Sequence, residues 1–250
     1  MRQAGENWIK GTTLMVRIAW HHHREALLHL SVAVMGSASV VWLTCQFWRL
    51  LFGDGPIWST SPIGAVDLII RQDEVRSWFD GIPRYEGPAC AMDPPATYAI
   101  LWPVVGWLSR SPVRWLWAVT TAVALRWLIY TIVQGSGADT KLERLFVSML
   151  PLSMYATGAT VGNGQLIVHV LPLLLTGILF QWRRADDWAR DTLAAALIVV
   201  ALARPSVAAP FFWVVLFFPG RLRVPLLAAA AYRGTRCSQH RSRRLVSAFS

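Results

Sequence analysis

Long apolar runs alternate with short polar clusters along this chain. About 20 consecutive apolar residues carry a helix across a bilayer core. Residues 26–52 meet that length, and 115–133 form a second clear span with Arg126 inside it. A third clear span is 165–182. Two stretches are weaker: 97–108 is short and interrupted by Pro103, and 145–161 is marginal and contains Pro151. Residues 193–218 are apolar but broken at Arg204-Pro205 and again at Pro210, and a further run covers 226–232. The pattern predicts an all-α fold, a polytopic transmembrane helical bundle.

The longest polar interruption is 53–96. It holds seven acids (Asp54, Asp67, Asp73, Glu74, Asp80, Glu86, Asp93) against three arginines. Within it, 67–79 reads DLIIRQDEVRSWF, where Leu68, Val75, Trp78 and Phe79 approximate an i, i+3, i+4 apolar stripe. That spacing predicts an amphipathic helix lying at the membrane interface. Gly81-Ile82-Pro83-Arg84-Tyr85 reads as a turn, and Asp93-Pro94-Pro95 leads the chain into the next apolar stretch. The expected organisation is a basic cytoplasmic N-terminus (1–25), a first transmembrane helix (26–52), an extracytoplasmic loop (53–96), a multi-span membrane domain (97–232) and an Arg-rich tail (233–250).

Composition sharpens this picture. Hydrophobic residues make up 54% of the chain, charged residues only 15%, and mean hydropathy is +0.40. Soluble domains carry about 25% charged residues, so the deficit points to an integral membrane protein. The net charge of +10 sits in short Arg clusters between apolar segments and at the two ends. This is the footprint of the positive-inside rule, and nucleic acid is not an expected partner. The apolar run after the basic N-terminus is too long for a signal peptide, which makes it a retained helix. His21, His22 and His23 are consecutive and point in different directions on a helix, so they read as a polar juxtamembrane segment rather than a metal site. Of Cys45, Cys90 and Cys237 only Cys90 lies in the loop, so no disulfide framework is expected there.

The charges also set an orientation. A basic N-terminus places it in the cytoplasm and the acidic 53–96 loop outside. The turns at Arg110/Arg114, Arg183/Arg184 and Arg221/Arg223 look cytoplasmic. These assignments collide, because four crossings between the loop and Arg183 would leave Arg183 outside. One apolar segment must fail to cross, and 97–108 and 145–161 are the weakest candidates. Short Pro-interrupted segments are tolerated at membrane depth where protein or a wet cavity surrounds them.

Asp67 falls at the start of the expected 67–79 helix, where the dipole favours a carboxylate. One reading of it is a helix-terminal residue without chemistry. The order of motifs supplies another. An Asp soon after the first helix, a G-x-P-x-Y turn and a Pro-Pro before the next apolar segment resemble family 87 of the glycosyltransferases. Gly162-Asn163-Gly164-Gln165 heading an apolar helix is similar to that family's Gly-Gln segment, and Leu202-Ala203-Arg204-Pro205 to its later (Lys/Arg)-Pro segment. The resemblance runs from Asp67 to Tyr232. Family members are integral membrane enzymes of the GT-C class, including bacterial polyprenol-phosphate-mannose-dependent mannosyltransferases.

The resemblance implies an inverting hexosyltransferase. It would move a mannose-like sugar from a polyprenyl-phosphate donor to a lipid or glycan acceptor on the extracytoplasmic face of a bacterial plasma membrane. Asp67 would be the general base on the acceptor hydroxyl, with Asp93, which replaces the family's usual Tyr, as runner-up. Arg204 and Arg126 are candidates for the donor phosphate, and Asn163, Gln165 and Tyr85 for sugar or acceptor. Each has a plainer reading: a snorkelling or paired Arg126, helix caps for Asn163 and Gln165, an interface anchor for Tyr85. His169 reads as a packed, hydrogen-bonded core histidine. No cofactor other than the lipid-linked donor is implied and no metal-ligand cluster is evident; partners would be membrane lipid, that donor and the acceptor.

Two other readings stand beside this one. A transporter or channel subunit would place ionisable residues and broken helices near the midplane, as Arg126, Arg204 and Pro205 loosely do. An inactive, truncated family member is the other. Family members are longer with more spans, and RGTRCSQHRSRRLVSAFS from Arg233 onward is either a basic cytoplasmic tail or foreign to the fold.

Overall fold

The computed structural model describes residues 2–53, 63–80, 97–98, 101–182, 187–202, 204–217 and 222–233, with side chains from His23 onward. These residues are helical, joined by short turns, with no β-strand among them. α1 is Arg2–Phe52 and α2 is Val66–Phe79. A five-residue π-helical turn, Trp102–Gly106, precedes α3, Arg110–Gly135. There follow α4 (Lys141–Ser153), α5 (Tyr155–Asn163), α6 (Ile167–Trp182), α7 (Trp188–Ala201), α8 (Pro205–Leu216) and α9 (223–233). The Gly81–Tyr85 turn, Asp93-Pro94-Pro95 and the 234–250 tail lie outside the described residues.

Two helices are long and apolar enough to cross a membrane: His23–Phe52 within α1, and α3. The pair α4–α5 makes a third if counted as one span, although it bends by 54°. The bend falls at Met154, whose extended backbone (φ −69°, ψ 130°) separates the two helices, rather than at Pro151, which lies inside α4. The chain therefore has the build of a helical membrane protein. Among its described residues the weak stretch 97–108 is helical at 97–98 and 101 and forms the π-helical turn 102–106, short of spanning length. The expected break at Arg204-Pro205 is present between α7 and α8. The second one, at Pro210, is not, since Pro210 lies inside α8.

Side-chain contacts fix the relative directions of the helices. Arg24 meets Glu143, Gly36 approaches Met149, and Trp42 stacks on Tyr155 with ring centroids 5.3 Å apart. Positions rise together, so α1 runs parallel to α4–α5. Thr120 meets His169 at 3.1 Å and Thr131 meets Thr176 at 3.4 Å, so α3 runs parallel to α6. Gln181 donates to the Val215 carbonyl at 2.9 Å, so α8 runs the same way as α6. The end of α1, α2, the start of α3, the α5–α6 turn and the α7–α8 break therefore gather at one end of the bundle, called the rim below.

Exposed tryptophans mark both ends. Among the described residues they are Trp48, Trp107 and Trp115 near the rim, and Trp182, Trp188 and Trp213 at the far end. Two belts of exposed indole flanking an apolar middle are the signature of a bilayer's two interfaces.

Candidate functional site

α2 is built into the rim by both of its sides. Its buried residues are Leu68, Gln72, Glu74, Val75 and Ser77, a mixture of apolar and polar side chains. The stripe expected from the sequence is therefore only half of the buried face. The polar half has a partner of its own: the π-helical turn ends in carbonyls without helical partners. Gln72 Nε2 donates to the Val105 and Leu108 carbonyls at 3.0 and 2.7 Å. Arg76 donates from Nε to Gly106 at 2.9 Å and from Nη2 to Leu108 at 2.6 Å. Phe79 stacks on Trp102, centroids 4.3 Å apart, and closes the clasp. Arg71 and Tyr98 both hold the Glu74 carboxylate, at 2.6 and 3.4 Å.

The start of α2 docks on the α5–α6 turn. Ala65 sits in the left-handed region (φ 59°, ψ 28°) with its side chain fully buried. That conformation costs a non-glycine residue roughly 1–2 kcal/mol. Its N–H donates to the Gly162 carbonyl at 2.8 Å. A Cβ on Gly164 would come within 2.7 Å of the Leu68 Cβ, and one on Gly162 would overlap Gln46 Oε1. The absence of side chains at 162 and 164 is what lets the turn seat against α1 and α2.

This docking brings three of the expected site residues to one place. Asp67 lies in the first turn of α2, two residues beyond the Ala65–Gly162 hydrogen bond. Asn163 and Gln165 flank Gly164 on the turn it meets, and all three are half-buried. Among the described residues, none of these three side chains has a hydrogen bond or ion pair. A half-buried carboxylate beside two free carboxamides is an arrangement for a ligand rich in hydroxyls.

The remaining expectations fall elsewhere. Arg126 is exposed, on the outward face of α3 with Val119, Val123 and Tyr130. Arg204 heads α8 at the break, beside a core cluster of Val170, Leu174, Ala201 and Ala208. That cluster meets the one containing Leu68 at Leu166, the residue after Gln165. Tyr85 and Asp93 lie outside the described residues. His169 behaves as expected of a packed residue: Nε2 lies 3.1 Å from the Thr120 hydroxyl and its ring tilts against Trp117 at 4.6 Å.

The structure also corrects one expectation and adds residues. Arg110 lies 3.7 Å from Asp73 of the loop helix, and Arg114 packs against Gly53, so this basic turn shares the side of the 53–96 loop. It cannot face the cytoplasm while that loop lies outside. The reason is that 97–108, not reaching across, returns the chain to α3 on the same side. The sequence reading passed over Gln46 and Arg49, in the last turns of α1. Arg49 is only 4% exposed and donates to Gln46 Oε1 at 2.8 Å, just behind Gly162. The available signal was two polar side chains, one turn apart, near the end of an apolar helix.

No family model matches the chain, and neither a curated protein nor a solved structure matches it.

Proposed function

We propose that the chain is an integral membrane glycosyltransferase similar to family 87, with the rim on the extracytoplasmic side. It transfers a mannose-like hexose from a polyprenyl-phosphate donor to a lipid or glycan acceptor. The observation that carries this reading is the Asp67 carboxylate, half-buried, unpaired and held beside Asn163 and Gln165. A sugar hydroxyl becomes an adequate nucleophile when a carboxylate takes its proton in the transition state. Asp67 takes that proton as the hydroxyl oxygen attacks the anomeric carbon. The bond from that carbon to the phosphate oxygen breaks on the opposite face, giving inversion and free polyprenyl phosphate. Asn163 and Gln165 hydrogen-bond the remaining hydroxyls, and Arg204 stands at the same end of the bundle.

The topology supports the same orientation. With 97–108 removed as a crossing, α3, α4–α5 and α6 carry the chain from an outer rim to Arg183 in the cytoplasm. That agrees with the basic N-terminus and the Arg183/Arg184 turn.

The test is sugar transfer in membranes containing the full chain and a polyprenyl-phosphate-linked mannose. Wild type and Asp73→Asn should transfer the sugar, and Asp67→Asn should not. Full activity of Asp67→Asn would remove it as the base. Inactivity of the wild type with every lipid-linked hexose tried would sink the transferase reading itself.

A further inference from the structure

The segment 101–108 reads LWPVVGWL and carries no charged side chain. One side of it belongs to the bundle. Leu101, Val105 and Gly106 are buried, and Leu101 and Val105 join the core cluster that holds Val113 and Trp117 of α3. The other side is bare. Val104 is exposed, Trp107 is 71% exposed, and Phe79, which stacks on Trp102, is exposed beside them. Charges stop at the edges of this patch: Asp80 follows Phe79, and Arg110, 3.7 Å from Asp73, follows the turn. An exposed apolar patch rimmed by polar residues marks a surface that meets another apolar phase.

The carbonyls of the same segment are met inside the protein. Pro103 has no N–H to satisfy, and its carbonyl accepts the Trp107 indole N–H at 2.8 Å. The Val105, Gly106 and Leu108 carbonyls accept from Gln72 and Arg76 of the clasp. Gln72 is only 1% exposed, so its carboxamide is committed to that task. In water such capping gains little, because solvent serves free carbonyls without fixing two long side chains. In hydrocarbon it is required: irregular backbone is tolerated there only where the protein meets its polar groups. The exposed indole follows the same rule. Trp at a membrane interface presents its N–H to the wet side, whereas Trp107 turns its own inward and leaves an apolar ring outside.

We propose that 101–108 is a re-entrant wedge that dips below the headgroups into the acyl chains of the rim-side leaflet. Phe79, Val104 and Trp107 lie against lipid, and Gln72 and Arg76 keep the backbone behind them dry. The occupant of the bare face is bilayer lipid, because the face stands at the same end as Trp48 and Trp115 in the belt of exposed indoles. Interfacial apolar faces settle about 5–10 Å into the boundary between headgroups and acyl chains. The inference rests on the membrane build of the chain and is independent of the transferase reading. α2 is fixed to the turn through Gln72 and Arg76, so the depth of the wedge sets the height of α2, and with it Asp67, at the membrane surface.

The experiment is collision accessibility of a nitroxide label on the full chain in phosphatidylcholine vesicles, with Cys45, Cys90 and Cys237 replaced by Ser. Oxygen concentrates among acyl chains and a nickel chelate in water. Labels are placed singly at Val104→Cys and Trp107→Cys. Val123→Cys, on the exposed face of α3, is the lipid reference, and Asp80→Cys is the water reference. The oxygen-to-nickel ratio at 104 and 107 should match that at 123 and exceed that at 80 severalfold. Nickel access at 104 and 107 equal to that at 80 overturns the proposal in favour of an aqueous loop. Low access to both agents overturns it in favour of a covering protein partner. These single labels decide the placement by themselves. Gln72→Met together with Arg76→Met should then lower the ratio at 104 severalfold while that at 123 holds, as the uncapped turn moves toward water. An unchanged ratio at 104 in that double variant overturns the part given to the two side chains.

Discussion

The two ends of the bundle differ in which polar groups they hold and which they leave free. At the far end the start of α4 is closed by its own polar groups. Arg24 pairs with Glu143, whose carboxylate also takes the N–H groups of Asp139 and Thr140 at 3.1 Å each. Thr140 returns the favour by accepting Glu143 N–H at 3.2 Å, a complete capping box. Arg144 donates to the Ala138 carbonyl at 3.0 Å, and Asp187 caps α7 through Ala189 N–H, also at 3.0 Å. At the rim, Asp67, Arg114, Asn163 and Gln165 have no such partners among the described residues. Yet the backbone beneath them is tied down through Gly53, Gly64, Ala65 and Gly162. Side chains left free on a backbone that is tied down keep their hydrogen-bonding groups available to a ligand.

The contrast can be broken by substitution. The largest effect belongs to Asp67→Asn, which should lower sugar transfer about a hundred- to ten-thousand-fold, the range for a general base, without moving the melting temperature. Gly64→Ala comes next: its Cβ would be driven into the Arg49 carbonyl. Overpacking of this kind costs about 3 kcal/mol, read as a lower midpoint in thermal unfolding of the solubilised chain together with lost transfer. At the far end the order of consequences reverses. Thr140→Ala should cost about 1 kcal/mol of stability and leave transfer unchanged. Arg24→Ala, with side chains 43% and 20% exposed in the pair, should cost less than about 1 kcal/mol. A far-end substitution that abolished transfer while stability held would erase the distinction between the two ends.

The apolar pattern made most of the helices legible. The spans read at 115–133 and 165–182 lie within or against α3 and α6, and the helix read at 67–79 is α2 to within one residue at its start. These are local properties, set by the length and period of apolar runs. The two segments that went differently, the bend at Met154 and the continuous α8, depend on what packs beside them. Gln72 and Arg76 are 30 or more positions from the carbonyls they hold, and no local pattern announces that pairing. The candidate site divides the same way. Asp67, Asn163 and Gln165 stood out as polar residues beside apolar runs. Gln46 and Arg49 did not, because polar side chains near the end of an apolar helix read as an interface flank until the turn at Gly162 is seen to cover them.

The parallel course of α1 and α4–α5 sets a timetable for assembly. Arg24 and Glu143 are 119 residues apart in sequence. At synthesis rates of about 5–20 residues per second, α1 waits on the order of ten seconds before α4–α5 exists to pack on it. Throughout that interval Gln46 and Arg49 sit near the end of a lone helix, without the turn that later covers them. The first helix is therefore made before its own polar end is sheltered, and until the bundle closes Gln46 and Arg49 have only each other and the aqueous interface to bond to.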